Sequence, residues 1–449
     1  MKKFLVSILI IFPIIAFSQN IKKQPIPNEA FDYVNNINKY WHKEEHDTAI
    51  AYASKLIELY PPFLVNKIHY QLAEDIENKE IGASDFLVKI YNTKNKKINK
   101  IIKPIYLWNM MRVTQSEDSI LVFFDDLNEE LKMNALTVSK PELYMLNAFN
   151  ELDKKKIENS EYKKNISLFI IKIIEEKLIE EESINDRNSI KNRAYLRSIL
   201  SYTYFYLSKI ISDPYLLKMA SFYSLDKLDQ QNNVTYISTL RFLTGKSDIS
   251  GFRMNYIDYL IQNNQKEEAL KFLSILTLGE PINSNINKLK SLFEEIYPSS
   301  SFKNYWYTAF SSSAEKLPEF NIKTLNGIDT NSSDFNNKWT LVDFWGTWCN
   351  PCVSELPEIE KFYIESKKKY DGKLNVITIS YESKNIKVFL ESNNYSFPVF
   401  EIDENNLNKL KVRSFPTKIL ISPNRNYITF PSGFGINWIE YIDNYTMLK

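Results

Sequence analysis

Apolar residues recur every three or four positions through most of the chain up to about residue 310. The segment Asp47–Pro61 has five such positions, at Ala49, Ala53, Leu56, Ile57 and Tyr60. This spacing places the apolar side chains on one face of a helix, and the proline pair that begins at Pro61 marks its end. Further along, two apolar stretches are separated by a polar turn at Asn263-Asn264. The pattern predicts an α-helical module over residues 20–310.

Two arrangements of these helices fit the pattern. The stretch "DTAIAYASKLIELYP", residues 47–61, resembles one hairpin of a tetratricopeptide-type repeat. No constant period of repetition runs through the region, however, and an irregular bundle of helical hairpins fits equally well. The abundant aromatic residues are most simply core side chains. The sequence therefore predicts helical hairpins that are either TPR-like or irregular.

The hydrophobic pattern changes after a serine-punctuated boundary that ends near residue 313. Short runs rich in β-branched residues then alternate with helical runs. Strands are predicted near 319–324, 339–345, 374–380, 398–401, 417–422 and 426–430, and helices near 350–369, 384–393, 404–411 and 436–446. Such alternation builds an open, mixed sheet with helices on both faces. Residues 314–449 are therefore predicted to form an α/β domain.

The first 18 residues have the pattern of a secretory signal peptide. Two lysines, Lys2 and Lys3, precede an apolar run at 4–17, and small residues precede a cleavage site before Gln19. The alternative is an uncleaved membrane anchor, but the run is shorter than the ~20 residues that a spanning helix needs. We therefore expect an exported protein, soluble in the periplasm or cell envelope, without stable membrane insertion.

Composition and charge indicate which classes of binding partner to expect. Hydrophobic residues make up 44% and charged residues 25% of the chain, as in globular proteins. Lysine and arginine total 56 against 55 acidic residues. A net charge this close to zero gives no reason to expect nucleic acid or an anionic membrane as a partner.

Both cysteines of the chain lie in one short stretch, "LVDFWGTWCNPCVSELP", residues 341–357. A predicted strand runs into the pair and a predicted helix begins just behind it. Cys349 therefore lies at a helix N-terminus, where free backbone N–H groups and the positive end of the helix dipole lower the pKa of its thiol. Because the thiolate is the attacking species in thiol–disulfide exchange, we expect Cys349 to be the nucleophile and Cys352 to resolve the mixed disulfide.

Three other interpretations of the cysteine pair are a zinc site, a structural disulfide and an inactive redox domain. Half of a zinc site is disfavoured, because the chain has no other cysteine and no histidine after His69. A structural disulfide that closes so short a loop would remove little chain entropy and stabilise weakly. A third alternative is an inactive redox domain kept as a scaffold. No metal is predicted at His42 and His46 either, since their chelating spacing has no third ligand nearby.

The stretch around the cysteines resembles the active site of the thioredoxin-fold superfamily, and specifically the TlpA/ResA-like thiol–disulfide oxidoreductases. The resemblance covers residues 314–449. Its motifs are "LPEF" at 317–320, Trp348 before the first cysteine, "SELPEI" with Glu355 and Pro357, and "RSFPTKILI" with Pro416. The resemblance implies a thioredoxin fold for the C-terminal domain.

The same resemblance implies roles for residues besides the cysteines. A cis Pro416 would lie against the disulfide and leave the backbone at Phe415 free to pair with a substrate strand. Trp348 would border that substrate-binding surface. Asp343, on the incoming strand, would be the buried acid that takes the proton of the resolving cysteine, and burial should raise its pKa. Glu355 would tune the thiols, unless it is only a solvated glutamate on the helix.

The function implied is that of an exported thiol–disulfide oxidoreductase of the protein-disulfide reductase type. Its substrates would be disulfide-bearing envelope proteins. Its electrons would come from a membrane thiol carrier, because the sequence has no nicotinamide or flavin fingerprint, and no cofactor is expected. The alternative is a helical-repeat interaction module whose thioredoxin-like domain has a regulatory or non-catalytic role.

Overall fold

A computed structural model describes residues 27–78, 82–93, 95–184, 186–224, 233–244, 251–335, 337–430 and 437–448. The predicted signal peptide, residues 1–18, lies outside these ranges. Among the described residues, none of the helices combines the length and the apolar character that a membrane span needs. The chain divides into two compact units, Met1–Ile157 and Glu158–Lys449.

The first unit is built from helices. They are α1 (Asn28–His42), α2 (His46–Leu59), α3 (Pro61–Asn78), α4 (Gly82–Asn92), α5 (Lys96–Val113), α6 (Glu117–Asn134) and α7 (Pro141–Lys154). Helix α2 confirms the pattern in the sequence, because its apolar stripe from Ala49 to Ile57 is buried. Pro61 begins α3 as well as following α2, a position that proline suits because its missing N–H would be unpaired there.

The second unit begins with more helices. They are α8 (Ser160–Glu182), α9 (Arg187–Ile210), α10 (Pro214–Tyr223), α11 (Asn233–Thr244), α12 (Gly251–Gln262), α13 (Lys266–Gly279), α14 (Asn283–Ile296) and α15 (Phe302–Ser313). The polar turn predicted at Asn263-Asn264 joins α12 to α13, and Asn264 adopts a left-handed φ of 58°. Helix lengths range from 10 residues in α10 to 24 in α9. A TPR-like arrangement stays a prediction.

The rest of this unit is an α/β domain. Its strands are β1 (Glu315–Lys316), β2 (Asn321–Thr324), β3 (Asp329–Asn331), β4 (Trp339–Trp345), β5 (Leu374–Ser380), β6 (Val399–Glu401), β7 (Thr417–Ile421) and β8 (Asn426–Thr429). Its α-helices are α16 (Asn350–Lys369), α17 (Ile386–Asn393), α18 (Glu404–Lys409) and α19 (Trp438–Thr446). A short 3-10 helix, Ser332–Asp334, precedes β4.

The strands form one mixed sheet in the order β1-β8-β7-β4-β5-β6-β2-β3. The β4–β5 and β5–β6 pairs are parallel, and the other pairs are antiparallel. Side chains alternate across β4, so that Leu341 and Trp345 belong to one core and Val342 and Phe344 to another. Residues of α16, α17 and α19 belong to the first core. Leu407 of α18 and Leu410, directly after that helix, belong to the second. The predicted fold class, an all-α region followed by an α/β domain, is confirmed.

Packing is continuous where helices give way to strands. Phe310 of α15 is fully buried and lies edge-on to Trp339 of β4, with ring centroids 5.1 Å apart. The indole Nε1 of Trp306 donates a hydrogen bond to the carbonyl oxygen of Asn444, at 2.8 Å. The last helices therefore share a core with the sheet, through β4 and α19. The division into domains at residue 314 stays a prediction.

Candidate active site

Strand β4 brings the candidate site to the middle of the sheet. Every residue of β4 is buried, and the strand lies between β5 and β7. A strand that is buried on both faces is expected to be almost entirely apolar. The sequence "WTLVDFW" is apolar except at Thr340 and Asp343. A short turn follows at 346–349, and α16 begins at Asn350 with Pro351 in its first turn. The strand-to-helix junction predicted around the cysteines is confirmed.

Cys349 and Cys352 form a disulfide at this junction. Cys349 is the N-cap of α16, and its Sγ accepts a hydrogen bond from the backbone N–H of Cys352 at 3.3 Å. Cys349 is 6% exposed and Cys352 is 1% exposed. In the reduced protein, the same N–H and the helix dipole would stabilise a thiolate at Cys349. The geometry thus distinguishes an outer cysteine at the helix end from an inner one.

A buried lysine joins the two acids near the pair. Asp343 and Lys418 are direct neighbours in the β4–β7 register. The Nζ of Lys418 lies 3.0 Å from Oδ1 of Asp343 and 2.6 Å from Oε2 of Glu355. The side chains of Asp343 and Lys418 are only 2% and 8% exposed, whereas that of Glu355 is 40% exposed. These three residues are called the acid–lysine triad below.

For both Asp343 and Lys418, burial and the charges of the neighbouring side chains shift the pKa in opposite directions. Burial raises the pKa of Asp343, and the charge of Lys418 only partly offsets that effect. Burial lowers the pKa of Lys418, but Asp343 and Glu355 together outweigh it, so that the pKa of Lys418 is raised. The lysine is therefore charged at neutral pH, and burial favours the protonated form of Asp343.

Glu355 is more than a solvated helix residue, because it makes the shortest contact of Lys418. A role for Glu355 in tuning the thiols stays a prediction. Sequence reasoning missed Lys418. A signal was present, since it is the one charged residue in the β7 stretch "TKILI". Its partners could not be read from that stretch, because they lie on β4 and α16.

Aromatic side chains form an accessible surface beside the cysteine turn. Trp348 is 52% exposed, and its indole Nε1 donates a hydrogen bond to the carbonyl oxygen of Tyr381 at 3.0 Å. The Phe415 ring lies edge-on to Trp348, with centroids 5.3 Å apart, and stacks on Tyr381 at 5.8 Å. The structure thus brings Trp348 and Phe415 together, as the substrate-binding prediction requires. Tyr381, directly after β5, was not predicted.

Gly346 makes room for this aromatic arrangement. A Cβ at this position would lie 2.6 Å from the Nε1 of Trp348 and 3.1 Å from the carbonyl oxygen of Tyr381. Both distances are below ordinary contact, so a larger residue would displace the indole. The peptide bond between Phe415 and Pro416 is cis, as expected. The participation of Trp348, Phe415 and Pro416 in substrate binding stays a prediction.

Comparisons with known proteins agree with this site. Residues 314–426 match the AhpC/TSA family. The thioredoxin-like protein YneN of Bacillus subtilis (strain 168) is 33% identical over 113 residues, which are 24% of this chain and 64% of that protein. The thiol-disulfide oxidoreductase ResA of Geobacillus kaustophilus (strain HTA426) is 31% identical over 108 residues, 24% of this chain and 62% of that protein. The chain therefore spans slightly less than two thirds of the length of these curated relatives.

A solved structure also matches part of the chain. The secreted thiol-disulfide isomerase from Corynebacterium glutamicum is 21% identical, with a TM-score of 0.26, and the match covers 29% of this chain and 84% of that one. The family match, residues 314–426, includes both cysteines of the disulfide. The C-terminal part of the chain is therefore a thioredoxin-like domain that matches the AhpC/TSA family over residues 314–426, and the chain is similar to the thiol-disulfide oxidoreductase ResA.

Proposed function

We propose that this protein is an exported thiol–disulfide oxidoreductase that reduces disulfides of proteins in the cell envelope. The observation that carries the proposal is the Cys349–Cys352 disulfide at the N-terminus of α16. A cysteine at a helix end has a stabilised thiolate, and a second cysteine one turn inward can complete the exchange. The names of the relatives, thiol-disulfide oxidoreductases among them, agree with this chemistry.

The proposed reaction begins with the reduced pair. The thiolate of Cys349 attacks one sulfur of a substrate disulfide, so that the substrate S–S bond breaks and a mixed disulfide forms. The departing substrate sulfur keeps the electron pair and takes a proton from solvent. Cys352 then gives its proton to Asp343 and attacks Sγ of Cys349, which expels the second substrate sulfur as a thiolate; that thiolate takes up the proton that Asp343 releases. The substrate has gained two electrons and two protons, and the cysteines are again a disulfide.

The aromatic surface is the proposed docking place for the substrate. Trp348 and Phe415 are partly exposed and adjoin the turn that carries Cys349. Pro416 connects this surface to β7. Aromatic rings provide a large, rigid apolar contact at small entropic cost, which suits an extended protein segment around a disulfide. We assign substrate contact to Trp348, Phe415 and Pro416, and also to Tyr381, which the sequence did not predict.

The electrons are proposed to come from a thiol carrier in the membrane. The pair must be reduced again after each turnover, and the sequence has no nicotinamide or flavin fingerprint that would supply electrons within the chain. We assign partner selection to the helical region over residues 20–310. This arrangement needs a periplasmic or envelope location, which the signal-peptide pattern at 1–18 supports.

The test is the reduction of insulin disulfides by the purified full chain with a dithiol donor. The Cys349→Ser variant should lose activity to the rate of the donor alone, because no thiolate is left at the helix end. The Cys352→Ser variant should instead trap substrates as mixed disulfides in cells, to be identified by mass spectrometry. Unchanged insulin reduction by Cys349→Ser would contradict the proposal and favour the regulatory alternative.

A further inference from the structure

Three helices of the second unit meet at one carboxylate. In α8, Oε1 of Glu175 accepts hydrogen bonds from the hydroxyls of Tyr204 in α9 and Tyr223 in α10, both at 2.8 Å. We infer that this carboxylate and the exposed apolar side chains around it form a docking surface for a basic segment of a substrate protein. The inference deepens the proposed function, which assigns partner selection to the helical region, and it rests on that function for the identity of the partner.

The two tyrosines fix the position of the Glu175 carboxylate from two neighbouring helices. Their rings stack, with centroids 5.8 Å apart and an angle of 14° between the planes. Burial raises the pKa of both hydroxyls, and their hydrogen bonds to Glu175 raise it further. Both tyrosines therefore stay protonated at neutral pH and continue to donate to the carboxylate.

The carboxylate of Glu175 has no counter-charge within the chain. Among the residues that the structure describes, no basic side chain forms an ion pair with it. Arg197 of α9 is near enough to Tyr223 to oppose the rise of its pKa. Its guanidinium, however, donates to the backbone carbonyl oxygens of Phe222 and Tyr223, at 3.1 Å and 3.3 Å. A carboxylate that is held in place without a cation is positioned to accept one from a partner.

Large apolar side chains are exposed around this carboxylate. Phe222 in α10 is 62% exposed and lies edge-on to Tyr223, with centroids 5.1 Å apart. Tyr215, in the same helix, is 56% exposed and lies close enough to Tyr223 to raise its pKa. Ile179 is 70% exposed and follows Glu175 by one turn, on the same side of α8. Aromatic faces attract the head group of a lysine or arginine, and apolar rings can cover its aliphatic stem. The following residues are called the tyrosine–glutamate surface: Glu175, Ile179, Tyr204, Tyr215, Phe222 and Tyr223.

The C-terminal half of α8 adds negative charge to this surface. Residues 172–182 hold five glutamates and two lysines, and the last turn of the helix has no basic residue. Acids there lie at the negative end of the helix dipole, where lysine and arginine are the favoured residues. Lys177 is engaged with Glu180 and Glu181, with Nζ–oxygen distances of 2.9 Å and 4.0 Å, and Arg193 donates to the carbonyl oxygen of Glu181 at 2.8 Å. The remaining charge is complementary to a basic partner.

The experiment measures the binding of a fluorescein-labelled peptide to the oxidised full-length protein by fluorescence anisotropy. The peptide has central lysines flanked by leucines, and it has no cysteine, so that no thiol exchange contributes to binding. A matched peptide has glutamines in place of the lysines. The wild-type protein should bind the lysine peptide about tenfold more tightly than the glutamine peptide. This difference should shrink as the ionic strength rises, because salt screens the attraction.

Three variants separate the parts of the surface. Glu175→Gln should weaken binding of the lysine peptide by about fivefold or more and leave the glutamine peptide unaffected, because it removes only a charge. Tyr223→Phe removes one of the two hydroxyls that hold the carboxylate, so it should have a smaller effect in the same direction. Phe222→Ala should weaken binding of both peptides, because it removes apolar contact. Since the Phe222 ring is exposed, this variant tests the surface even if Glu175→Gln does not fold.

The matched control is Glu161→Gln, which removes the same charge from the other end of α8. The side chain of Glu161 is 74% exposed, and its Oε2 lies 3.3 Å from Nζ of Lys164. This variant should leave both affinities unchanged. Equal affinity of the wild type for the two peptides would overturn the inference, and so would wild-type affinity of Glu175→Gln for the lysine peptide. A wild-type dimer that Phe222→Ala dissociates in sedimentation would also overturn it, because the surface would then belong to a second copy of the chain.

The outcomes for the surface differ from those for the redox function. Insulin reduction that depends on Cys349, together with equal binding of the two peptides, would reject the docking surface alone. An unchanged rate of insulin reduction in Cys349→Ser would overturn the proposed function, and with it the identity of the partner as a substrate. Lysine-dependent binding that Glu175→Gln weakens would still support the surface in that case.

Discussion

Replacing Phe310 by alanine should destabilise the redox domain, although Phe310 lies outside it in sequence. The ring is fully buried in α15 and contacts Trp339 of β4 and Tyr445 of α19, with centroids 5.1 Å and 5.6 Å away. Truncation of a buried phenylalanine to alanine costs about 3–5 kcal/mol, because transfer energy is lost and a cavity remains. Since every 1.4 kcal/mol is about tenfold, the unfolding equilibrium should shift by roughly a hundredfold to several thousandfold.

The readout should report the sheet domain rather than the helices. Cys352 is 1% exposed in the disulfide form. In the reduced protein it should therefore react with an alkylating agent only when the domain opens. Alkylation of Cys352 at increasing urea concentration, measured by mass spectrometry, gives the midpoint of that opening. With a urea m-value of about 2 kcal/mol per M, Phe310→Ala should lower the midpoint by about 1.5–2.5 M.

The control for this prediction is Phe222→Ala, which removes a phenylalanine that is 62% exposed in the same unit. Surface substitutions of this kind usually change stability by about 0.5 kcal/mol or less. An unchanged Cys352 midpoint in Phe310→Ala would refute the reasoning. It would mean that α15 can separate from β4 and α19 without energetic consequence for the redox site.

Two more predictions concern the aromatic surface and the first compact unit. Gly346→Ala should displace the Trp348 indole and break its hydrogen bond to Tyr381. The KM for insulin should then rise severalfold, while the midpoint of urea unfolding should change little. An unchanged KM would contradict this prediction. Burial, reinforced by Lys140, lowers the pKa of His69 to about 3 from the usual 6.5. The unfolded chain therefore binds a proton first as pH falls, and the stability that neutral His69 provides is complete above pH 6.5 and declines towards pH 3. The slope is at most about 1.4 kcal/mol per pH unit, and His69→Gln should flatten it in urea titrations between those pH values.

The central elements of the α/β domain could be predicted from local pattern alone. Strand β4 and helix α16 have the predicted bounds, because a largely apolar run of seven residues leads into a proline at a helix start. The two strands that were missed, β1 and β3, have two and three residues and no buried position. A strand this short is defined by its hydrogen-bond partner, which no local pattern shows.

The candidate site was predictable where its residues are neighbours in sequence or carry a family motif. Cys349, Cys352 and Asp343 lie within one stretch, and Pro416 carries its own motif. Tyr381 and Lys418 were missed for the same physical reason. Their importance comes from the sheet register, which places the end of β5 beside the cysteine turn and β7 beside Asp343.

The position of Lys418 also argues against a purely structural origin of the acid–lysine triad. A charge inside a sheet loses most of its hydration, and the attraction of its partners repays this only in part. Apolar side chains occupy the neighbouring inward positions, Leu341, Trp345 and Leu420. An apolar residue at 418 with another at 343 would be expected to give a core at least as stable. Charged residues in otherwise apolar buried strands depart from the local pattern, and such a departure without an evident gain in stability is typical of a functional site. The departure lies on the same face of the sheet as the disulfide, and it places a carboxyl group with a raised pKa on the strand that leads to the cysteines.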